Sequence, residues 1–237
     1  MRLENIVWDS ADPHRLGAFW AAALGAEPFT NDPGGFEARL TLGDEFFLDL
    51  CFPRVDDPSD APQRLHLDLL GGERQAEVVE RMVSLGARHA DIGQGEVPWV
   101  VLTDPDGNPF CVMEHRDTYR DTGPIAAIPL DSADPERDVE FWVEISGWVP
   151  YDGPVPSLRH PSGGGPILEL CPEPRPKSGK GRLHLDVRRG ADDDDAFDRV
   201  TALGARRLEQ YDTGALPWDV FADPSGNEFC ILNPNRS

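Results

Sequence analysis

The chain repeats itself. DSADPHRLGAFWAAALG at 9–25 returns as DSADPERDVEFWVEISG at 131–147, an offset of 122. RLHLD at 64–68 and LGAR at 85–88 return after 118 residues; PW at 98–99 returns after 119. The turn VLTDPDGNPFC at 101–111 returns as VFADPSGNEFC at 220–230, again after 119. Offsets that drift so little across a whole half mark tandem duplication with small insertions in loops. A fold for these 237 residues must therefore be built from two similar halves.

Each half divides again. NIVWDS reads as a strand, and DPHRLGAFWAAALG as a helix opened by Asp12 and Pro13 and closed at Gly25. FEARLTL and EFFLDLCF read as strands of a hairpin around GDE. After the polar stretch PRVDDPSDAPQ the pattern restarts with the strand RLHLDLL. The amphipathic helix ERQAEVVERMVSLG follows, with Ala76, Val79, Met82 and Val83 on one face. ARHADIG, PWVVLTD and NPFCVMEH complete the set as strands. Each quarter is thus a βαβββ module of roughly 50 residues. The expected division is a first domain at 1–117 (modules 1–54 and 62–117), a linker at 118–125, and a second domain at 126–237 (modules 126–172 and 180–237). Strands and helices in this order give an α+β fold in which helices cover one sheet face and the other face can curve around a ligand.

Alternation assigns side chains to faces. Leu65, Leu67 and Leu69 point toward the helices, leaving Arg64, His66 and Asp68 on the opposite face; Leu183, Leu185 and Val187 repeat this against Arg182, His184 and Asp186. A strand carrying Arg, His and Asp on one face lines something polar. His and Asp two apart on one strand have Cβ atoms roughly 6.5–7 Å apart, a spacing that favours a bridging partner over direct contact. An acid–base pair and a satisfied structural pair are both open readings of His66–Asp68 and His184–Asp186. Trp99 and Trp218 follow prolines at strand starts, where they serve either an aromatic ligand wall or packing at the sheet rim.

With 43 acidic and 22 basic residues the formal charge is −21, which argues against nucleic-acid and membrane-surface partners and tolerates cations. No apolar run reaches the roughly 18–20 residues a membrane span requires, and the N-terminus does not read as a secretory signal. A cytoplasmic protein, monomer or homodimer, is expected. The run ADDDDAF at 191–197 reads as a helix start, where acids complement the macrodipole. Cys51, Cys111, Cys171 and Cys230 sit in or beside apolar strands, none in a C-x-x-C pair, and are expected as buried thiols. The D-P-x-G-N segments are turn chemistry: Pro presets φ, Gly supplies positive φ, and Asp bonds the backbone ahead.

Tandem βαβββ modules, the D-P-x-x-x-x-F-W…L-G helix and the D-P-x-G-N hairpin together resemble the vicinal oxygen chelate superfamily, which includes glyoxalase I, extradiol dioxygenases and bleomycin-binding proteins. The resemblance covers nearly the whole chain and implies curved-sheet domains with a metal site on the concave face. Carried over residue by residue, the first-strand ligand falls on Asn5 and Ala127. The acid of the L-E-L pattern falls on Asp49 and Glu169, the opening histidine of the second module on His66 and His184, and the final glutamate on Cys111 and Cys230. If modules close within halves, the sets are Asp49/His66/Cys111 and Glu169/His184/Cys230. If outer pairs with outer and inner with inner, they are Asp49/His184/Cys230 and His66/Cys111/Glu169. The resemblance implies a divalent metal (Zn, Fe or Mn), and a His/carboxylate/thiolate set favours Zn.

Three functions follow as expectations. The leading one is an enzyme of lyase, isomerase or dioxygenase type acting on an oxygenated metabolite. His66, His184, Asp68 and Asp186 would then be the catalytic or metal-holding groups, and Arg64, Trp99, Arg182 and Trp218 the pocket walls. The second is a metal-free protein that sequesters an antibiotic or metabolite, cationic or aromatic. The third is a structural relic without a ligand.

Overall fold

The computed structural model describes residues 1–44, 46–211 and 216–234. Its elements follow the four-module plan. Module one holds β1 (Arg2–Trp8), α1 (Pro13–Leu24), β2 (Glu27–Asp32), β3 (Gly35–Thr41) and β4 (Phe47–Pro53). Module two holds β5 (Asp68–Gly72), α2 (Gln75–Leu85), β6 (Arg88–His89), β7 (Val100–Thr103) and β8 (Pro109–Glu114). Module three holds β9 (Ile125–Ser132), α3 (Pro135–Ser146), β10 (Val149–Tyr151), β11 (Ser157–Arg159) and β12 (Ile167–Pro172). Module four holds β13 (Leu183–Arg188), α4 (Ala196–Ala202), β14 (Arg206–Arg207), β15 (Trp218–Ala222) and β16 (Glu228–Leu232).

The two eight-stranded sheets are not formed within the sequence halves. One runs β14-β15-β16-β13-β1-β4-β3-β2, so the first and fourth modules share an outer sheet. The other runs β10-β11-β12-β9-β5-β8-β7-β6 and joins the second and third as an inner sheet. The question left open by the sequence is answered by the antiparallel seams β1–β13 and β5–β9: outer pairs with outer, inner with inner.

Contiguous modules meet instead through helix and turn. The capping chemistry is as the sequence dictates. Asp12 and Asp134 each accept from the backbone N–H three residues on, Pro13 and Pro135 occupy the first turn, and Gly25 and Gly147 close the helices at φ 72°. Gly17 lets α1 lie against β3, because a Cβ there would stand 2.2 Å from the Phe36 ring. In the turn at 104–108, Asp104 accepts from the backbone of Asp106 and Asn108 and from the Asn108 amide, with Gly107 at φ 86°. Trp20 on α1 then donates its indole N–H to the same carboxylate at 3.1 Å. The second copy repeats the clamp: Trp142 on α3 donates to Asp223 at 3.4 Å, and Asp223 holds Ser225, Asn227 and the Asn227 amide. Each clamp ties the helix of one sheet to the turn of the other. Edge-on aromatic pairs, Trp20 with Phe110 and Trp142 with Phe229, fill the space beneath.

Two local expectations are corrected. On α2 the buried stripe is Val79 and Met82; Ala76 and Val83 face solvent, because Gln75 turns inward and donates to the carbonyls of Pro98 and Val112. RLHLDLL is not one continuous strand: β5 begins at Asp68, and upstream only a single bridge joins Leu65 to Leu130. Pro129 on the facing strand has no N–H to donate, so the ladder breaks beside His66.

The clamps yield two predictions. Trp20→Phe and Trp142→Phe each remove one of several donors to a buried carboxylate and leave a small gap where the indole's second ring was, and each lowers unfolding free energy by about 1–3 kcal/mol in a denaturant titration. Burial pushes the Asp223 carboxyl up to about 6. Its protonated form is favoured by folding, so the stability it adds is full below its ordinary value near 4 and is lost as pH rises through about 6. The gain in denaturation midpoint between pH 7 and pH 5 is accordingly larger in wild type than in Asp223→Asn.

Candidate functional site

In the outer sheet the β-register lines up one row across the concave face: Arg39, Asp49, Asn5, Asp186, Cys230 and Val220. Register partners point to the same side of a sheet. His184 and Val7 pair in the next row, beside Cys51 and Glu37. The Asn5–Val220 part of the row faces a cavity of about 870 Å³ whose lining includes Asn5, Glu37, His184, Asp186, Trp218 and Cys230.

His184 Nε2 stands 3.4 Å from Asp186 Oδ1 and 3.5 Å from Cys230 Sγ. Asn5 donates its amide to Asp186 Oδ2 at 2.9 Å. The spacing rule underestimated the reach of the side chains: across the bend of the strand, His184 and Asp186 lean together, and His66 and Asp68 do the same at 3.4 Å. The His, Asp and Cys ligand atoms of each cluster, His184/Asp186/Cys230 and His66/Asp68/Cys111, lie within 4.8 Å of one another. In each cluster the Asp Oδ1 is buried and faces the imidazole Nε2 at 3.4 Å without a well-aligned hydrogen bond.

The acid in these clusters is not the one expected. Asp49 is held by Arg39 through two bonds of 2.7 and 2.8 Å, with Arg39 also stacked over Phe47. A carboxylate so clamped is neutralised, and Asp186 takes its place beside the imidazole. In the inner sheet the corresponding row runs Arg159, Ile167, Ala127, Asp68, Cys111 and Val101. Ile167 occupies the Asp49 position. Glu169 is two residues further along, accepting from the Tyr119 hydroxyl at 3.5 Å.

The inner concave face is filled. Tyr119, from the segment expected as a linker, is buried against Cys111, Met113, Ala127 and Ile167, with Trp99 and Tyr151 packed around it. Trp99 is therefore a packing residue, its indole donating to Gln94 and Arg116 lying over its ring. Trp218, 37% exposed, does line the outer cavity. Arg64 and Arg182, expected as pocket walls, are spent on backbone carbonyls: Arg64 on Arg175 and Asp131, Arg182 on Asp106 of the opposite module. Lys180, on the outer rim, was not singled out. It pairs with Asp9 and lies over the Tyr211 ring. The signal was available, since the chain has two lysines and both fall in the loop PRPKSGKGR.

Electrostatics separate the groups. Burial, reinforced by the charge of Asp186, pushes the Cys230 thiol well above its ordinary range. Burial and Asp68 do the same to Cys111, and burial lifts Cys171 to about 12. Burial opposes charge on His66, but the adjoining Asp68, with Asp131 and Glu169 beyond, outweighs it and the imidazole is raised. Glu169 is pushed up to about 7 by burial and by the charge of Asp68. Thiols surrounded by carboxylates stay protonated and are poor nucleophiles; a cation among the donors is what would make them thiolates. The donor set fits a divalent metal of zinc type. At Zn–N and Zn–O near 2.0 Å and Zn–S near 2.3 Å, tetrahedral edges are about 3.3–3.5 Å, the separations seen around His184.

The glyoxalase-like domain family model matches residues 5–113 and 127–232. The chain belongs to this family and is a tandem member of the vicinal oxygen chelate superfamily. Among solved structures it is similar to glyoxalase I from Zea mays, at 20% identity and TM-score 0.65 over 98% of this chain and 92% of that one. It is also similar to a protein described as a dioxygenase from Bacillus subtilis, at 18% identity and TM-score 0.58 over 100% and 86%. No curated protein matches the chain. No helix among the described residues is long and apolar enough to cross a membrane.

All four cysteines are free. Their raised thiols predict slow reaction of metal-free native protein with a disulfide reagent at pH 8, rising to four thiols per chain on unfolding; one fast native thiol would contradict the placement of these groups.

Proposed function

We propose that the outer cleft is the working site, and that it belongs to a metal-dependent enzyme acting on a small oxygenated metabolite. What carries this reading is the convergence of His184, Asp186 and Cys230 on a cavity large enough for a metabolite. His184, Asp186 and Cys230 would hold the metal, leaving a position open toward the cavity. The chemistry such a metal would supply there is Lewis-acid polarisation of a substrate oxygen.

The remaining roles belong to the chain. Asn5 donates its amide N–H to Asp186 Oδ2, which leaves Oδ1 facing His184. Arg39 withdraws Asp49 from competition. Glu37, which accepts from the Cys51 thiol at 3.6 Å, is the carboxylate placed to exchange a proton with a bound substrate. Trp218 and Tyr211 supply flat apolar walls. Asp32 and Glu37 have no basic side chain as partner among the described residues, which gives the cavity a negative lining and favours a neutral or cationic compound over an anion. That lining is also what supports the second reading, sequestration of a cationic aromatic ligand.

Zinc-loaded wild type, Trp218→Phe and His184→Ala, titrated with a panel of small oxygenated and cationic aromatic compounds, separate these readings. The enzyme reading expects Trp218-dependent quenching by a compound that wild type also converts, followed by NMR. His184→Ala should keep the quenching and lose conversion at least 100-fold, the scale of a lost metal or acid–base group. Quenching with no conversion anywhere in the panel would replace it with sequestration.

A further inference from the structure

We propose that the compound taken by the outer cleft carries an ammonium group, seated on Glu37, Asp32 and Thr30 three strand spacings from His184. The inference rests on the reading of that cleft as the working site and names the class of compound that fills it. The first ground is unmatched charge. Around the cleft the chain neutralises its acids one by one: Asp9 by Lys180, Glu228 by Lys177, Glu4 by Arg188 and Asp49 by Arg39. Asp32 and Glu37 have no basic side chain as partner among the described residues. The nearby arginines are engaged elsewhere: Arg39 holds Asp49 through two bonds, and Arg54 donates to the carbonyls of Pro33 and Ala11. Thr30 is in register with Glu37, and Asp32 with Gly35, so the three side chains share the concave face. Asp32 and Glu37 are diagonal neighbours there, about 7–8 Å apart at Cα, and one cation between them relieves their repulsion. Asp32 Oδ1 accepts from the Gly34 N–H at 2.8 Å and Glu37 Oε1 from the Cys51 thiol at 3.6 Å, which leaves one oxygen of each for a ligand. With the Thr30 hydroxyl they offer three acceptors, the number that a primary ammonium with its three N–H donors requires.

The second ground is the shape of the cavity. Glu37, Cys51, Val7 and His184 form one register row across β3, β4, β1 and β13, and all four line the cavity. Three strand spacings of about 4.8 Å separate the ends of the row, roughly 14 Å at Cα. The two residues between are small and make its floor. A compound that meets both ends spans roughly 10 Å. Past the His184 cluster the lining turns apolar, with Leu216, Trp218, Val220 and Leu232. A volume of about 870 Å³ belongs to drug-sized ligands and is far more than a three-carbon compound fills. The parts together define a medium-sized amine: an ammonium at one end, an oxygen function facing the cluster, and an apolar body against Trp218. The proton that Glu37 exchanges is then one of those on the ammonium.

Three fluorescent probes of one shape test this on the full chain: dansylcadaverine, its N-acetyl derivative and dansyl-6-aminohexanoate, which end in an ammonium, a neutral amide and a carboxylate. In titrations at low salt, the ammonium probe should bind wild type about 10-fold or more tighter than the neutral one, and the carboxylate probe weakest. Asp32→Asn/Glu37→Gln keeps the shapes and removes the charges. It should bring the ammonium probe to within about 2-fold of the neutral one and leave the neutral one unchanged. Glu80→Gln/Glu140→Gln, which removes two exposed charges from helices outside the cleft, should keep the full preference and so separates a seat from the general attraction of an acidic protein. Asp32→Asn/Glu37→Gln should also melt no lower than wild type. Equal binding of the ammonium and neutral probes, a preference that survives in Asp32→Asn/Glu37→Gln, no saturable binding of any probe, or a double variant that melts well below wild type would each overturn the proposal. Conversion of a compound plays no part in these readouts, so the seat and the enzyme reading fail separately.

Discussion

The antiparallel seam between β1 and β13 is the interaction on which everything else in the outer site depends. It puts Asn5 opposite Asp186 and Val7 opposite His184, joining residues 181 positions apart in one row. Parallel pairing of β4 with β1 and of β16 with β13 then adds Asp49 and Cys230 to that row. A slip of one residue along the seam would turn His184 and Asp186 into the core and the leucines of β13 into the cavity. The leucines resist this: Leu183, Leu185 and Val187 are buried among the aromatic side chains that fill the space beneath both sheets. The hydrophobic alternation of one short strand thus fixes the chemistry of the opposite face.

Duplication produced two such faces, and a handful of substitutions made them different. Where the outer row reads Arg39, Asp49, Asn5, the inner row reads Arg159, Ile167, Ala127. The same arginine position clamps a carboxylate in one sheet and a chain segment in the other. Tyr119, which has no counterpart over the outer cavity among the described residues, converts a concave surface into a packed one. What looks symmetric in sequence is therefore unequal in space: one face is open and one is closed.

The duplication, the modules and the helix caps were legible in the sequence because they rest on local chemistry: Asp-Pro at a helix start, Gly at its end, Asp and Gly in a tight turn. The face that each histidine takes was legible from alternation. Module pairing was not, because either arrangement satisfies the same local rules and only the long-range seam distinguishes them. The role of Asp49 was missed for the same reason, since its partner Arg39 lies on a neighbouring strand and no spacing rule links them. The inequality of the two sites was hidden in residues 118–125, whose composition reads as a connector and whose one aromatic, Tyr119, gains meaning only from the hollow it enters. Arg64 and Arg182 share the pattern of the histidines, yet each lies before its strand begins, where backbone carbonyls of distant segments claim it.

The central claim is that the acid two residues after each histidine, rather than the acid closing the neighbouring module, stands at the metal position. A crystal grown with zinc and measured across the zinc absorption edge tests this most directly. The account predicts an anomalous peak bounded by His184, Asp186 and Cys230, with Asp49 still bound to Arg39. A peak at the outer row coordinated by Asp49, with Arg39 displaced, would contradict it.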